Sequence, residues 1–125
     1  MKVLLVDDTK SLLSLVQVYL MGWGLEFALA SDGIEALGKA QVSRPDLVIS
    51  DIRMPKMDGF EMCAAFRGDP DLRAVPVVLL TSLNDDATRQ KGKLLGAAAF
   101  LTKPISVDAL RGVVARLLGL PGARR

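Results

Sequence analysis

The sequence contains no histidine and only one cysteine, Cys63. The absence of histidine excludes an imidazole general base, a histidine-ligated zinc site and a phosphohistidine within this chain. A single cysteine cannot form an internal disulfide, which favours a reducing compartment, and we expect a cytoplasmic location. No apolar run approaches the about 20 residues that cross a bilayer, so we expect neither a secretory leader nor contact with a membrane.

The sequence also lacks a strong excess of charge of either sign. The formal net charge of the 125 residues is +2, and the lysines and arginines are scattered along the chain. This distribution predicts no direct binding of nucleic acid. Half of the residues are hydrophobic, which is enough to build one core at this length. We expect a single domain over residues 1–118, with residues 119–125 as a C-terminal tail or the start of a linker.

Short apolar runs alternate five times with segments of helical periodicity. Most of these runs lack strict polar alternation, which is typical of strands covered on both faces. We therefore expect an α/β fold, a flavodoxin-like (βα)5 three-layer sandwich whose parallel five-stranded sheet has the order 2-1-3-4-5. The predicted strands are Val3–Val6, Leu25–Ala30, Leu47–Ser50, Val77–Thr81 and Ala98–Thr102, and the predicted helices are Lys10–Met21, Gly33–Val42, Gly59–Arg67, Asp85–Leu95 and Val107–Leu118.

Polar side chains follow the carboxyl ends of four predicted strands, which meet at one crevice in such a sheet. Carboxylates that converge there repel one another by several kcal/mol unless a cation lies between them, and Mg²⁺ prefers such oxygen ligands. A cation beside a carboxylate, an ammonium and a hydroxyl predicts phosphoryl transfer onto the carboxylate. The simpler alternative is that Asp8 or Thr9 only caps the next helix. The residues at the crevice are Asp7, Asp8, Asp51, Thr81 and Lys103.

Four motifs, VLLVDD, DIRMPKMDGFE, PVVLLTS and GAAAFLTKPIS, strongly resemble the receiver domain of bacterial two-component response regulators, the CheY-like family. They occur in the family's order, and the resemblance extends from about Lys2 to Leu118. It implies a signalling module, not a metabolic enzyme, that takes a phosphoryl group from a histidine kinase or a histidine phosphotransfer protein. It also implies a downstream protein partner or effector domain, with phosphorylation-dependent homodimerisation as a further option.

The resemblance implies a role for each acidic residue of the crevice. Asp51 matches the phosphoacceptor, and Lys103 matches the lysine that binds the phosphoryl group. The implied direct ligands of Mg²⁺ are Asp8, Asp51 and the main-chain carbonyl of Arg53. Asp7 matches the residue that binds the cation mainly through water.

Further matches concern switching and the lifetime of the acyl phosphate. Thr81 and Phe100 match the hydroxyl and the aromatic ring that move inward on phosphorylation and change the face formed by helix 4, strand 5 and helix 5. Pro104 follows Lys103 at a peptide bond that is cis in the family. Arg53 and Leu83 occupy positions that tune dephosphorylation, and a bulky Leu83 predicts slow decay.

Helix 1 offers a candidate docking surface for the phosphohistidine partner. The helical period places Leu13 and Leu20 on the flank of a core face formed by Leu12, Leu15, Val16 and Tyr19. Both leucines are then either half-buried against the sheet or exposed as docking contacts.

Three other functions remain as alternatives. A degenerate receiver could serve only as an interaction platform, although its acceptor site is intact. A phosphohydrolase of the haloacid-dehalogenase type also uses an aspartyl nucleophile, but it needs a second acid two residues later, where this chain has Arg53. An FMN-binding flavodoxin-like protein needs a Ser/Thr/Gly-rich phosphate loop after strand 1, which the sequence lacks.

Overall fold

The computed structural model describes residues 1–82 and 86–121, in which strands and helices alternate. All four strand pairings are parallel and the sheet order is β2-β1-β3-β4-β5, which confirms the predicted topology. The described helices are too short to cross a membrane. The elements are β1 Lys2–Val6, α1 Lys10–Tyr19, β2 Glu26–Ala30, α2 Gly33–Val42, β3 Leu47–Asp51, α3 Gly59–Gly68, β4 Val77–Thr81, α4 Asp86–Leu94, β5 Ala99–Thr102 and α5 Val107–Leu118.

The sheet separates two hydrophobic layers, because successive residues of a strand point to opposite faces. Val3 and Leu5 of β1 pack with α1 and α5, whereas Leu4 and Val6 pack with α2 and α3. The central strands β3 and β4 are buried along their whole length, while the edge strands β2 and β5 are only partly buried. This explains why the central runs lack strict polar alternation, whereas the β2 strand begins with a polar residue.

Side-chain caps fix the beginnings of three helices. The Asp32 carboxylate accepts a hydrogen bond from the Glu35 N–H at the start of α2. Asp58 and Glu61 form a reciprocal capping box at the start of α3, as the sequence predicts, and Ser106 caps α5. In α1 the N-cap residue is Thr9, but its side chain makes no capping hydrogen bond. Capping therefore does not account for the acidic pair that precedes α1.

The predicted core face of α1 is confirmed in part: Val16 is buried and Leu12 and Tyr19 pack against the core, but Leu15 does not belong to this face. Leu13 and Leu20 are buried in the layer between the sheet and α5, whereas Leu15 is 41% exposed. Apolar residues surround most of this helix, so the period alone cannot select the side that meets the sheet. Leu20, at 1% exposure, offers no surface to a partner, which counts against its predicted docking role. Leu13 is 9% exposed and lines an open cleft beside Asp7 and Asp8, so its docking role stays a prediction.

An arginine from α5 holds the end of α1. The Arg111 guanidinium donates hydrogen bonds to the main-chain carbonyls of Tyr19 and Met21, at 2.9 and 2.8 Å. It also stacks on the indole ring of Trp23, 4.0 Å from the ring centroid. These contacts satisfy carbonyls that the helix leaves unpaired, and α1 ends at Tyr19, two residues earlier than predicted.

Candidate functional site

The carboxyl ends of four strands bring the predicted site residues together. Asp51 is the last residue of β3 and lies beside Leu80 of β4, and Thr81 follows at the end of β4. Asp7 comes directly after β1, and Lys103 directly after β5. Asp7, Asp51 and Thr81 are 3%, 8% and 4% exposed, so polar groups are concentrated in a buried position. Such a concentration needs compensation by charge or hydrogen bonding.

The acidic residues form a compact cluster of oxygen atoms. One carboxylate oxygen from each of Asp7, Asp8 and Asp51 lies within 4.8 Å of the others. Asp8 is exposed, so the cluster opens to solvent on the side of the β1–α1 turn. A cleft of about 390 Å³ adjoins it and is lined by Asp7, Asp8, Lys10 and Leu13. The cluster has the donor type and the access that a hard divalent cation requires.

Asp7 is the acidic residue whose surroundings are least satisfied. Its Oδ1 accepts a hydrogen bond from the Thr9 N–H at 2.8 Å, whereas its buried Oδ2 has no hydrogen-bond partner among the described residues. The nearest cation is the Lys103 ammonium, 3.9 Å from Oδ2. Burial, together with the nearby charge of Asp51, raises the pKa of Asp7, although the Thr9 N–H and Lys103 act in the opposite direction. An orphaned buried oxygen beside other carboxylates fits a cation.

Each oxygen of the Asp51 carboxylate has one close partner. Its Oδ1 accepts a hydrogen bond from the Ile52 N–H at 2.9 Å, and its Oδ2 lies 3.1 Å from the Lys103 ammonium. Lys103 is positioned by its own N–H, which donates to the Thr81 carbonyl at 2.7 Å, and the peptide bond to Pro104 is cis, as the resemblance implies. The lysine therefore faces the carboxylate predicted to react.

Two glycines allow close backbone approach to the β3–α3 connection, Gly59 beside Asp51 and Gly33 beside Met57, and the sequence interpretation missed the role of both. The Gly59 N–H donates to the Ile52 carbonyl at 2.8 Å, and a Cβ at Gly59 would lie 2.5 Å from the Asp51 carbonyl oxygen. The Gly33 N–H donates to the Met57 carbonyl at 3.0 Å, and a Cβ there would lie 2.7 Å from Met57 Cγ. These contacts fix the β3–α3 loop that carries Arg53. Each of these glycines follows an aspartate in the sequence, in Asp32-Gly33 and Asp58-Gly59. Such a pair indicates a helix cap as readily as close packing, so the sequence alone does not distinguish the two.

The predicted switch residues, Thr81 and Phe100, lie on the adjacent strands β4 and β5. Thr81 is buried, and Phe100 of β5 is half-buried against the hydrophobic layer beneath α3 and α4. The Phe100 ring also lies under the Arg89 guanidinium, which is 5.4 Å from the ring centroid. Arg53 is exposed, and its role as a carbonyl ligand stays a prediction. Leu83 lies outside the described residues.

Comparison with known proteins identifies the family. The family model described as the response regulator receiver domain matches residues 3–115. Because this match covers most of the chain, the protein belongs to the response regulator receiver domain family. The fold described above is therefore that of a receiver domain, a class of signalling module that binds Mg²⁺ and works with histidine kinases and output partners in general.

Individual relatives show two kinds of domain organisation. The chain is 32% identical to Protein PilG of Pseudomonas aeruginosa over 91% of this chain and 84% of that protein. It is 37% identical to the alkaline phosphatase synthesis transcriptional regulatory protein PhoP of Bacillus subtilis over 94% of this chain but only 48% of that protein. Among solved structures, the chemotaxis response regulator CheY4 of Vibrio cholerae is 40% identical with a TM-score of 0.86, covering 93% of this chain and 97% of that one.

Proposed function

We propose that this receiver domain is activated by phosphorylation of Asp51, with Mg²⁺ bound at Asp7, Asp8, Asp51 and the main-chain carbonyl of Arg53. The observation that carries the proposal is the position of the Lys103 ammonium, 3.1 Å from Asp51 Oδ2 and beside the orphaned Oδ2 of Asp7. This arrangement pairs a nucleophilic carboxylate with the ammonium group of Lys103. One ammonium does not neutralise the three clustered carboxylates, so a second cation is favoured there.

The proposed reaction is phosphoryl transfer from a phosphohistidine of a partner kinase or phosphotransfer protein. An oxygen of the Asp51 carboxylate forms a bond to phosphorus as the bond from phosphorus to the imidazole nitrogen breaks, and the imidazole leaves. The chain has no histidine, so the donor must be another protein or domain or a small molecule. The product on Asp51 is an acyl phosphate.

The residues of the site stabilise charge during this transfer. Lys103 neutralises one phosphoryl oxygen, and the Thr81 hydroxyl donates a hydrogen bond to another. The Ile52 N–H holds one Asp51 oxygen in place, which orients the carboxylate. Bound Mg²⁺ supplies further positive charge to the phosphoryl oxygens and relieves the repulsion among the carboxylates. The low exposure of Asp51 limits attack by water on the product.

Activation is proposed to change the surface formed by α4, β5 and α5. The phosphoryl group interacts with Thr81, which moves toward it, and Phe100 follows into the space behind. The domain then binds a protein partner or an output domain more tightly, because phosphorylation shifts the population between two states. The free energy of this shift is limited by how differently the phosphoryl group interacts with the two states. PilG and PhoP support both organisations, since one is matched over 84% and the other over 48% of its length.

The lifetime of the acyl phosphate depends on residues beside the site. Leu83 and Arg53 are proposed to slow its hydrolysis, Leu83 by shielding it from water. Replacing Leu83 by alanine should speed release of phosphate, and an unchanged rate would remove the shielding role. The module catalyses only its own phosphorylation and dephosphorylation, so turnover of a generic phosphoester would favour the phosphohydrolase alternative instead.

A small-molecule phosphodonor tests the proposal without the cognate kinase. The protein incubated with acetyl phosphate and Mg²⁺ should gain one phosphoryl group in the intact mass. Excess EDTA or Asp51→Asn should abolish the gain. Asp71→Asn is the matched control, because Asp71 is an exposed carboxylate in the α3–β4 connection and should leave the gain unchanged. Undiminished modification of Asp51→Asn would refute the assignment.

A further inference from the structure

α4 carries a glycine at a buried position, although glycine is among the least favourable residues in a helix interior. Gly92 lies in the last part of α4 Asp86–Leu94 and is the buried residue of this helix. A Cβ placed on Gly92 would lie 2.9 Å from Phe100 Cε2 and 3.2 Å from Phe100 Cδ2. It would also lie 3.4 Å from Leu79 Cδ1. Non-bonded carbon atoms prefer about 3.5–4.0 Å, so even one methyl group would force the ring or the helix to move.

The Phe100 ring occupies a slot with identifiable walls. Gly92 forms one wall, and Leu79, the neighbour of Phe100 in the β4–β5 register, forms the base. Arg89 lies three residues before Gly92, on the same face of α4, and its guanidinium lies over the ring. The same guanidinium donates a hydrogen bond to the Thr102 hydroxyl at 3.2 Å, which connects α4 to β5.

We infer that Gly92 is a positioning residue for Phe100, because its missing side chain provides the space that holds the ring half-buried against α4. We take this slot as the inward position of the ring, so a side chain at position 92 expels the ring from it and biases the Thr81–Phe100 switch away from the inward state. The inference rests on the proposed function and adds to it a residue on α4, Gly92, that affects the equilibrium between the two positions of the Phe100 ring.

Thermodynamic linkage makes the inference measurable at the phosphorylation site. If a phosphoryl group favours the inward ring, a change that disfavours the inward ring must weaken binding of a phosphoryl mimic, by at most the factor by which it shifts the equilibrium between the two ring positions. Beryllium trifluoride with Mg²⁺ is a suitable mimic, because it binds a carboxylate without a chemical reaction. Gly92→Ala should reduce its affinity by about fivefold or more, the range of typical coupling between sites.

The experiment is a double-mutant cycle with two readouts. The wild type, Gly92→Ala, Phe100→Ala and the double variant are compared for beryllium trifluoride affinity by calorimetry and for unfolding in urea. Gly92→Ala should lower both the affinity and the urea midpoint when Phe100 is present, and both losses should disappear in the Phe100→Ala background. Gly38→Ala is the matched control, because Gly38 lies within α2 and a Cβ there meets no atom within 4 Å. It should leave the affinity unchanged.

The two readouts separate the possible failures. Equal behaviour of Gly92→Ala and Gly38→Ala overturns the inference. Coupling in urea without loss of affinity also overturns it, since it shows a purely structural contact. If Gly92→Ala does not fold, the double variant must restore folding, and failure to do so contradicts the steric argument. Failure of the wild type to bind beryllium trifluoride overturns the proposed function together with the inference.

Discussion

Replacement of Asp7 by asparagine should stabilise the protein in the absence of a divalent cation. Asp7 is 3% exposed, and its Oδ2 has no hydrogen-bond partner among the described residues. Asparagine keeps the shape of the side chain and the Oδ1 acceptor for the Thr9 N–H, which is 2.8 Å away. The substitution therefore removes a buried charge without removing its main hydrogen bond.

The magnitude follows from the surrounding charges. At an effective dielectric constant of about 20, the Lys103 ammonium at 3.9 Å attracts the Asp7 carboxylate by roughly 4 kcal/mol. The carboxylates of Asp8 and Asp51, within 4.8 Å, each repel it by roughly 3–4 kcal/mol, which exceeds the attraction when both are ionised. We expect Asp7→Asn to raise the free energy of unfolding by about 1–3 kcal/mol, or about 4 °C in Tm for each kcal/mol.

The effect should depend on pH in a defined direction. The raised pKa of Asp7 means that the folded protein binds its proton more tightly than the unfolded chain does. This contribution to stability is fully present below the ordinary value of 3.8 and is lost as the pH rises through the raised value. Asp7→Asn removes that loss, so its advantage over the wild type should grow across this interval and then remain constant.

Urea unfolding in EDTA and in Mg²⁺ checks these expectations. Mg²⁺ at about 100 times its Kd should stabilise the wild type by about 2.7 kcal/mol. The variant lacks one acidic group and should gain less, so the stability difference should shrink or reverse. Asp71→Asn serves as the control for an exposed charge. A less stable Asp7→Asn protein in EDTA, or equal stabilisation of both proteins by Mg²⁺, would refute the reasoning.

Three further predictions concern packing. Gly59→Ala should lower the free energy of unfolding by about 1–3 kcal/mol in urea, because its Cβ would collide with the Asp51 carbonyl; an unchanged midpoint would contradict the close approach. Burial raises the pKa of the Cys63 thiol, although Arg67 lowers it, so Cys63 should resist Ellman's reagent at pH 8 until urea unfolds the protein. Arg111→Ala should cost about 1–3 kcal/mol and change the tryptophan emission, because two carbonyls at the end of α1 lose their donor.

The strand order and the site could be predicted from the sequence because topology controls both. The run Val77–Thr81 is buried at every position, and such a run has few alternatives to a central parallel strand. Once the order 2-1-3-4-5 is accepted, residues that follow strands at their carboxyl ends must approach one another. Asp51 and Lys103 are 52 positions apart in the chain but meet at 3.1 Å for this reason.

Features that depend on the orientation of a helix or on close approach could not be predicted in the same way. Apolar residues surround α1, so the sheet and α5, not the period, decide that Leu13 is buried and Leu15 exposed. Positions 33, 59 and 92 need glycine because atoms of Met57, Asp51 and Phe100, respectively, approach them closely. In each pair the approaching residue belongs to a different part of the fold from the glycine. A single sequence carries no distance information of that kind.

Chemical mapping of the phosphorylated residue tests the central claim most directly. Borohydride reduces an aspartyl phosphate to homoserine, which tandem mass spectrometry locates within a peptide. After incubation with acetyl phosphate and Mg²⁺, we expect homoserine at position 51 and nowhere else among the aspartates. Homoserine at another position, or an unreduced Asp51 in a protein that has gained a phosphoryl group, would contradict the account.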